Sequence, residues 1–329
     1  MSDTTFEAGE VAELTRVVDG RAVRYLSRGS GPDIVLFLHS GQPGIPPFAG
    51  SSVLFESTLQ SVRLDGYRLI APDLPGAGGT ALRGLEDLTV RGVTRAVSAL
   101  LAGLGPVGSI HIVAQGAAGL PAMKMAREGV AGVLPSSVML IGANTAAPTG
   151  DAIQNVALLN PAVPIWGRRF HHWAMRRLAY WPSQVPERII DRLVLNAEGS
   201  PHVRAQELVA NVENASSLFG DAVDERDQLY AHFRDHISRI PISLVWGAFD
   251  PTVGVPRGSA LAQVFKGSVG HLDFNVINQA SHFVQFDRPL QFARMVENHV
   301  RFGSHTRRGA EVEPERPGKR AEGHAPREK

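Results

Sequence analysis

Cysteine is missing altogether from the 329 residues, so neither disulfides nor thiolate metal sites are available to this chain. Long apolar runs are missing too: none approaches the roughly 18–20 residues that a membrane span requires. The opening stretch MSDTTFEAGEVAELTRV is acidic and has no apolar h-region, so a secretory signal is not expected and the cytoplasm is the default compartment. Net charge is nearly absent, at +1, which removes the basic surplus of a general nucleic-acid binder. What remains is a chain that is 43% apolar, enough for a sizeable core, and long enough for one large α/β domain with an insertion.

The hydrophobic pattern divides the chain. Residues 1–18 read as a flexible N-terminal arm, followed by an outer strand at 21–27 with alternating apolar and polar positions. DIVLFL (33–38), YRLIA (67–71), SIHIVA (109–114), SVMLIG (137–142), ISLVWG (242–247) and LDFNVI (272–277) are short β-rich runs of the kind found in sheets covered on both faces. Amphipathic stretches at 90–104, 258–265 and 289–302 supply helices. Residues 143–236 change character, becoming helical and carrying the aromatic-basic block Trp166 to Tyr180. The expected organisation is a core of mostly parallel sheet flanked by helices over 19–142 and 237–303, a helical cap over 143–236, and a disordered charged tail over 304–329.

The chain is organised around residues 109–122, SIHIVAQGAAGLPA. An apolar strand enters a tight turn of small residues and leaves as a helix, which displays the apex residue above the sheet edge. Ala114 and Ala118 provide the small flanking positions, but the apex itself is Gly116. Glycine tolerates the strained backbone of such a turn at little cost. Lacking an Oγ, it can carry no acyl group, and the vacated space has room for about one water.

Other chemistry-bearing residues follow the predicted strands. The first buried strand ends in His39-Ser40-Gly41-Gln42-Pro43-Gly44, a glycine-rich loop where open α/β sheets keep their sites. The glycines after Pro72-Asp73-Leu74-Pro75 follow a loop rather than open a helix, which argues against a dinucleotide site. Asp250 lies just past the 242–247 strand and His282 just past the 272–277 strand. A carboxylate and an imidazole in those places would converge above the elbow, with one ring nitrogen held protonated and the other left as a base. Asp73 reads as a loop-stabilising carboxylate and His111 as a packed strand histidine. His171 and His172, about 100° apart on a helix, do not chelate one metal, and no metal or cofactor is expected.

Taken together, the HSGxPG loop at 39–44, Pro72-Asp73-x-x-Gly76-x-Gly78, His111-x-x-x-x-Gly116-x-x-Gly119, Trp246-Gly247-x-x-Asp250 and Ser281-His282-Phe283 with Pro289 resemble the α/β-hydrolase superfamily over residues 20–303. The flavour is that of its cap-bearing branch of carbon–carbon bond hydrolases acting on ring-cleavage (meta-cleavage) products. That resemblance implies an oxyanion hole from the backbone N–H groups of Gly41 and Ala117. The chain departs from the branch at Gly116, at Phe283 where tryptophan is usual, and in having no arginine in register with the branch's carboxylate-binding one, Arg188 and Arg192 being nearest.

The reading favoured here is an enzyme on a hydrophobic small molecule, aromatic or polyketide-like, with His282 and Asp250 as catalytic acid–base pair and no covalent serine intermediate. Lyase, isomerase, cyclase and cofactor-free oxygenase reactions all start that way. Hydrolysis of an ester or C–C bond by a His-activated water, a catalytically inactive small-molecule-binding protein, and an engineered Ser-to-Gly hydrolase are the alternatives. Ser40, Gln115, Trp166, Phe170, Trp173 and Phe283 are expected to contact the substrate, Ser40 suiting such a contact better than a displaced nucleophile. Neither nucleic acid nor a membrane span is expected as partner, and a homodimer is left open.

Overall fold

A computed structural model of the chain describes residues 10–148 and 158–312. Eight strands form one sheet in the order β1-β2-β4-β3-β5-β6-β7-β8. They are β1 (Ala12–Val18), β2 (Arg21–Arg28), β3 (Asp33–Leu38), β4 (Tyr67–Pro72), β5 (Ile110–Gln115), β6 (Ser137–Ile141), β7 (Ile242–Gly247) and β8 (Leu272–Ile277). The β1–β2 and β2–β4 pairs are antiparallel, and every pair from β4 to β8 is parallel.

The helices are α1 (Glu56–Ser61), α2 (Val90–Gly103), α3 (Gly119–Glu128), α4 (Arg168–Leu178), α5 (Glu187–Glu198), α6 (Ser200–Val209), α7 (Val212–Asp235), α8 (Val255–Phe265), α9 (Val284–Asp287) and α10 (Pro289–Val312). Among the described residues, no helix is long and apolar enough to cross a membrane. Because strand side chains alternate, β3 feeds two cores at once. Ile34, Leu36 and Leu38 join residues of α2, α3 and α8 on one face, while Val35 and Phe37 join those of α1 and α10 on the other. This double burial explains why the central strands read as unbroken apolar runs rather than alternating ones.

Between β6 and β7 the chain leaves the sheet and builds α4 to α7. Apolar residues of α4 and α5, among them Met175, Leu178, Ile189 and Leu193, form a third core with Phe48, Val53 and Leu54 after β3 and with Phe283 and Phe286 after β8. The helical insertion is thereby seated on the two loops that carry Ser40 and His282.

Two expected boundaries move. The arm expected over residues 1–18 is a strand from Ala12, whose register against β2 runs from Ala12 opposite Ser27 to Val18 opposite Arg21; an edge strand with mostly outward polar residues lacks the apolar run that marks a central one. The tail expected from residue 304 begins inside a helix that continues to Val312. Residues 304–312 contain Val312 as their only large apolar side chain, so the sequence there carries no apolar periodicity. Residues 1–9, 149–157 of the expected cap and 313–329 of the expected tail lie outside the described residues.

Candidate functional site

The site lies beyond the carboxyl ends of β3, β5, β7 and β8, and strand register decides which residues meet there. β3 and β5 are parallel neighbours with Leu38 opposite Ala114. Ser40 and Gly116 follow just past the ends of these two strands, close enough that a Cβ built on Gly116 would stand 3.1 Å from Ser40 Cβ. Gly116 adopts φ +57°, the left-handed region, and opens a single 3₁₀ turn (Gly116–Ala118) that runs directly into α3. The sharp strand-to-helix turn expected from the small residues is therefore present, and only glycine takes that φ without steric cost.

His282 and Asp250 meet. Nδ1 of His282 lies 2.9 Å from Oδ2 of Asp250, and both residues are buried. Thr252, which the sequence reading passed over, completes the arrangement. Its hydroxyl donates to Asp250 Oδ1 at 2.7 Å and stands 3.1 Å from His282 Nδ1, and its backbone N–H donates to the same Oδ1 at 2.8 Å. Burial opposes ionisation of Asp250, but the neighbouring imidazole and the hydrogen bonds from His282 and Thr252 outweigh it, leaving the carboxyl below the ordinary aspartate value. An ionised Asp250 fixes the tautomer: Nδ1 carries the proton and Nε2 is the lone pair facing the cleft. Asp-x-Thr after a strand was the signal available for Thr252, since a hydroxyl two residues after a carboxylate closes a local turn.

His282 Nε2 is 3.3 Å from Oγ of Ser40, so the Ser40 hydroxyl donates to it. A Cβ built on Gly116 would stand 3.1 Å from Ser40 Cβ and 3.5 Å from His282 Nε2, and would overlap Ser40 Oγ. The hollow left by the missing side chain at 116 thus contains the hydroxyl of Ser40. His39 holds Ser40 from behind: its Nδ1 lies 2.9 Å from the Ser40 carbonyl and its Nε2 accepts from Leu74 N–H at 3.0 Å. Complete burial pushes the His39 pKa down, which keeps the ring in the neutral form that this donor–acceptor pattern requires.

A cavity of about 240 Å³ opens in front of these groups, lined by Ser40, Gly41, Ala117, Asn144, Thr252 and His282 among others. Gly41, Ala117 and Thr145 also line a second chamber of about 70 Å³, walled by Leu74, Leu88, Val90, Val93, Leu120 and Leu218. Oδ1 of Asn144 is buried and has no hydrogen-bond partner among the described residues, which makes it an acceptor, or after an amide flip a donor, for a bound molecule.

Other expected contacts lie elsewhere. Trp166, Phe170 and Trp173 line neither chamber. Phe170 is fully buried and stacks on Trp173 at 5.5 Å, and Trp166 stands edge-on to Phe170 and His202 at 5.6 and 4.6 Å. These aromatics pack against one another and against His202 within the cap, so they serve its interior. Phe283 is also buried, edge-on to the His282 ring at 5.2 Å and to Phe48 at 5.3 Å, so it supports the imidazole from outside the cavity. Gln115 is fully buried below the apex. Its Nε2 donates to the His282 carbonyl at 2.7 Å while its Oε1 accepts from Gln285 at 2.9 Å, a role in positioning rather than in substrate contact. Asp73 accepts from Ser52 N–H, the Ser52 hydroxyl and Gly79 N–H and pairs with Arg24, tying the 73–80 loop to the sheet. His111 bonds Ser137 and Ser304.

Comparison with known proteins identifies the fold. The fold superposes on 2-hydroxy-6-oxo-6-phenylhexa-2,4-dienoate hydrolase from Rhodococcus sp. strain RHA1 with TM-score 0.67 at 20% identity, covering 89% of this chain and 99% of that one. It superposes on a meta-cleavage product hydrolase from Pseudomonas fluorescens IP01 with TM-score 0.67 at 17% identity, covering 88% and 97%. An epoxide hydrolase shares the same architecture with TM-score 0.63 at 16% identity, covering 89% and 99%. No curated protein matches the chain by sequence. At such low identity these structures speak to fold alone, but a sequence model of the family matches residues 35–295. The chain belongs to the alpha/beta hydrolase family.

Proposed function

We propose that this protein is an enzyme that acts on a small, largely apolar carbonyl compound by general acid–base catalysis, with His282 as the base and Asp250 as the carboxylate that orients it. The observation that carries this reading is the buried His282–Asp250 pair, 2.9 Å apart, whose histidine lines the cavity. A buried, oriented imidazole at a cavity has no structural work of its own, and proton transfer is what such a pair does. Gly41 and Ala117 line both chambers, and their backbone N–H groups are the candidate donors to an oxyanion or enolate. The leucine and valine walls of the smaller chamber favour an apolar substituent.

No acyl group can reside on Gly116. Chemistry that removes a proton from the substrate itself, as in a lyase, isomerase, cyclase or cofactor-free oxygenase, needs only the pair and the oxyanion donors. Hydrolysis uses the same parts and requires in addition an oxygen nucleophile. The hydrogen bond from Ser40 to His282 Nε2 favours hydrolysis, because the base already engages a hydroxyl. The test is a panel of p-nitrophenyl esters together with solvent-deuterium exchange into enolisable ketones, each measured for the natural sequence, His282→Ala and Asp250→Asn. Activity in one arm that falls by several powers of ten in both variants supports the proposal. Activity that survives His282→Ala refutes it, and incorporation of ¹⁸O from labelled water separates hydrolysis from proton-transfer chemistry.

A further inference from the structure

We infer that Ser40 is the nucleophile of this enzyme, supplied from the loop after β3 in place of the elbow residue, and that the chain hydrolyses carboxylic esters through an acyl group carried on Ser40. The inference rests on the proposed role of His282 as base. Four observations converge on it. Ser40 Oγ is the atom engaged with His282 Nε2, at 3.3 Å, and the ring is held on its other side by Asp250. The hydroxyl occupies the space just above Gly116, since a Cβ there would overlap it. Ser40 lines the larger cavity together with Gly41 and Ala117, so its oxygen shares that cavity with the two residues whose backbone N–H groups are the candidate oxyanion donors.

The fourth observation is that the serine is held firmly. His39 grips its carbonyl from one side, and from the other Gly50 comes so close that any side chain at 50 would collide with the Ser40 carbonyl. A serine serving only as solvent-facing filler would need neither support. The pairing of β3 with β5, with Leu38 opposite Ala114, brings the two strand ends together, and just past them the Ser40 hydroxyl reaches the space that a side chain at 116 would fill.

The chemistry balances without further reactants. The Ser40 oxygen bonds to the ester carbonyl carbon as its proton passes to His282 Nε2, and the carbonyl π pair moves onto oxygen. Collapse of that adduct breaks the bond to the leaving oxygen, which departs as the alcohol with the proton from Nε2. Water then adds to the acyl carbon, giving its proton to Nε2, and the Ser40 oxygen is expelled and reprotonated. The net reaction is ester plus water to acid plus alcohol.

The full chain is incubated with an alkyl fluorophosphonate and mapped by peptide mass spectrometry, alongside turnover of p-nitrophenyl butyrate. The expected result is one adduct, on the peptide containing Ser40, absent in Ser40→Ala and in His282→Ala, with turnover reduced roughly 10³-fold or more in each. Ser40→Cys provides an independent reading, because the natural chain has no cysteine to compete. Its thiol is expected to react with iodoacetamide about tenfold faster with His282 present than in the Ser40→Cys/His282→Ala double variant. An adduct on another residue, no adduct at all, turnover retained in Ser40→Ala, or alkylation indifferent to His282 would overturn the inference. If His282→Ala abolishes turnover while Ser40→Ala does not, Ser40 is wrong and the acid–base reading stands. If neither variant matters, both readings fall.

Discussion

Placing a methyl group on Gly116 tests the geometry without any knowledge of substrate. In Gly116→Ala the new Cβ must be carried at φ +57°, which costs a non-glycine residue roughly 1–2 kcal/mol. The same Cβ overlaps Ser40 Oγ and stands 3.1 Å from Ser40 Cβ, so the hydroxyl must leave His282. Loss of that hydrogen bond and the crowding of a closed site add roughly 1–2 kcal/mol. The expected destabilisation is therefore about 3 kcal/mol, of which the left-handed strain alone survives once the obstacle is removed. In a Ser40→Gly background the same substitution should cost only about 1–2 kcal/mol, leaving a coupling of about 1–2 kcal/mol between the two positions. Urea unfolding of the four proteins in this cycle, followed by far-ultraviolet circular dichroism, measures it. If the cost of Gly116→Ala is the same in both backgrounds to within about 0.5 kcal/mol, the Ser40 hydroxyl does not occupy the hollow and the assembly described above is wrong.

Three further outcomes are expected. Thr252→Val removes the hydroxyl bonded to Asp250 and close to His282 Nδ1, and should lower kcat about tenfold with KM little changed, read on whichever probe substrate the protein turns over. Asp73→Ala leaves the buried Ser52 donors without their acceptor and takes from Arg24 one of its two carboxylate partners, the other being Glu13, and should cost about 3 kcal/mol in a urea titration. Burial lowers the pKa of both His171 and His202 to about 4, so the unfolded chain binds their protons first as pH falls. Their contribution to stability is complete above about pH 6.5 and is lost toward pH 4, at up to ~1.4 kcal/mol per group per pH unit, so the urea midpoint should drop across that window. His171→Asn should make the slope shallower, and an unchanged slope refutes the assignment for that residue.

The sheet and the His282–Asp250 pair were legible in the sequence because both rest on local signals: doubly buried strands appear as unbroken apolar runs, and each residue of the pair follows one such run. Ser40 was visible as a candidate contact but not as a partner of His282, since that depends on Leu38 lying opposite Ala114, a pairing between strands more than 70 residues apart in the chain. The aromatic residues of the cap misled for the opposite reason. Trp166, Phe170 and Trp173 carry the composition of a ligand pocket, but a small helical insertion needs the same side chains to form its own interior. β1 was missed because an edge strand needs little apolar surface to persist, and the end of α10 because its sequence has no apolar periodicity to detect.

The close approach of residues 40 and 116 has a consequence beyond this chain. Two adjacent parallel strands offer a pair of addresses from which a single hydroxyl can reach one imidazole, and exchanging which strand carries it disturbs neither the sheet nor the histidine. A search for the elbow signature alone would class such a protein as dead. A search that also asks what the loop after the neighbouring strand holds beside the elbow would pick out, in this fold, enzymes whose reactive oxygen has changed its point of attachment while keeping its position in space.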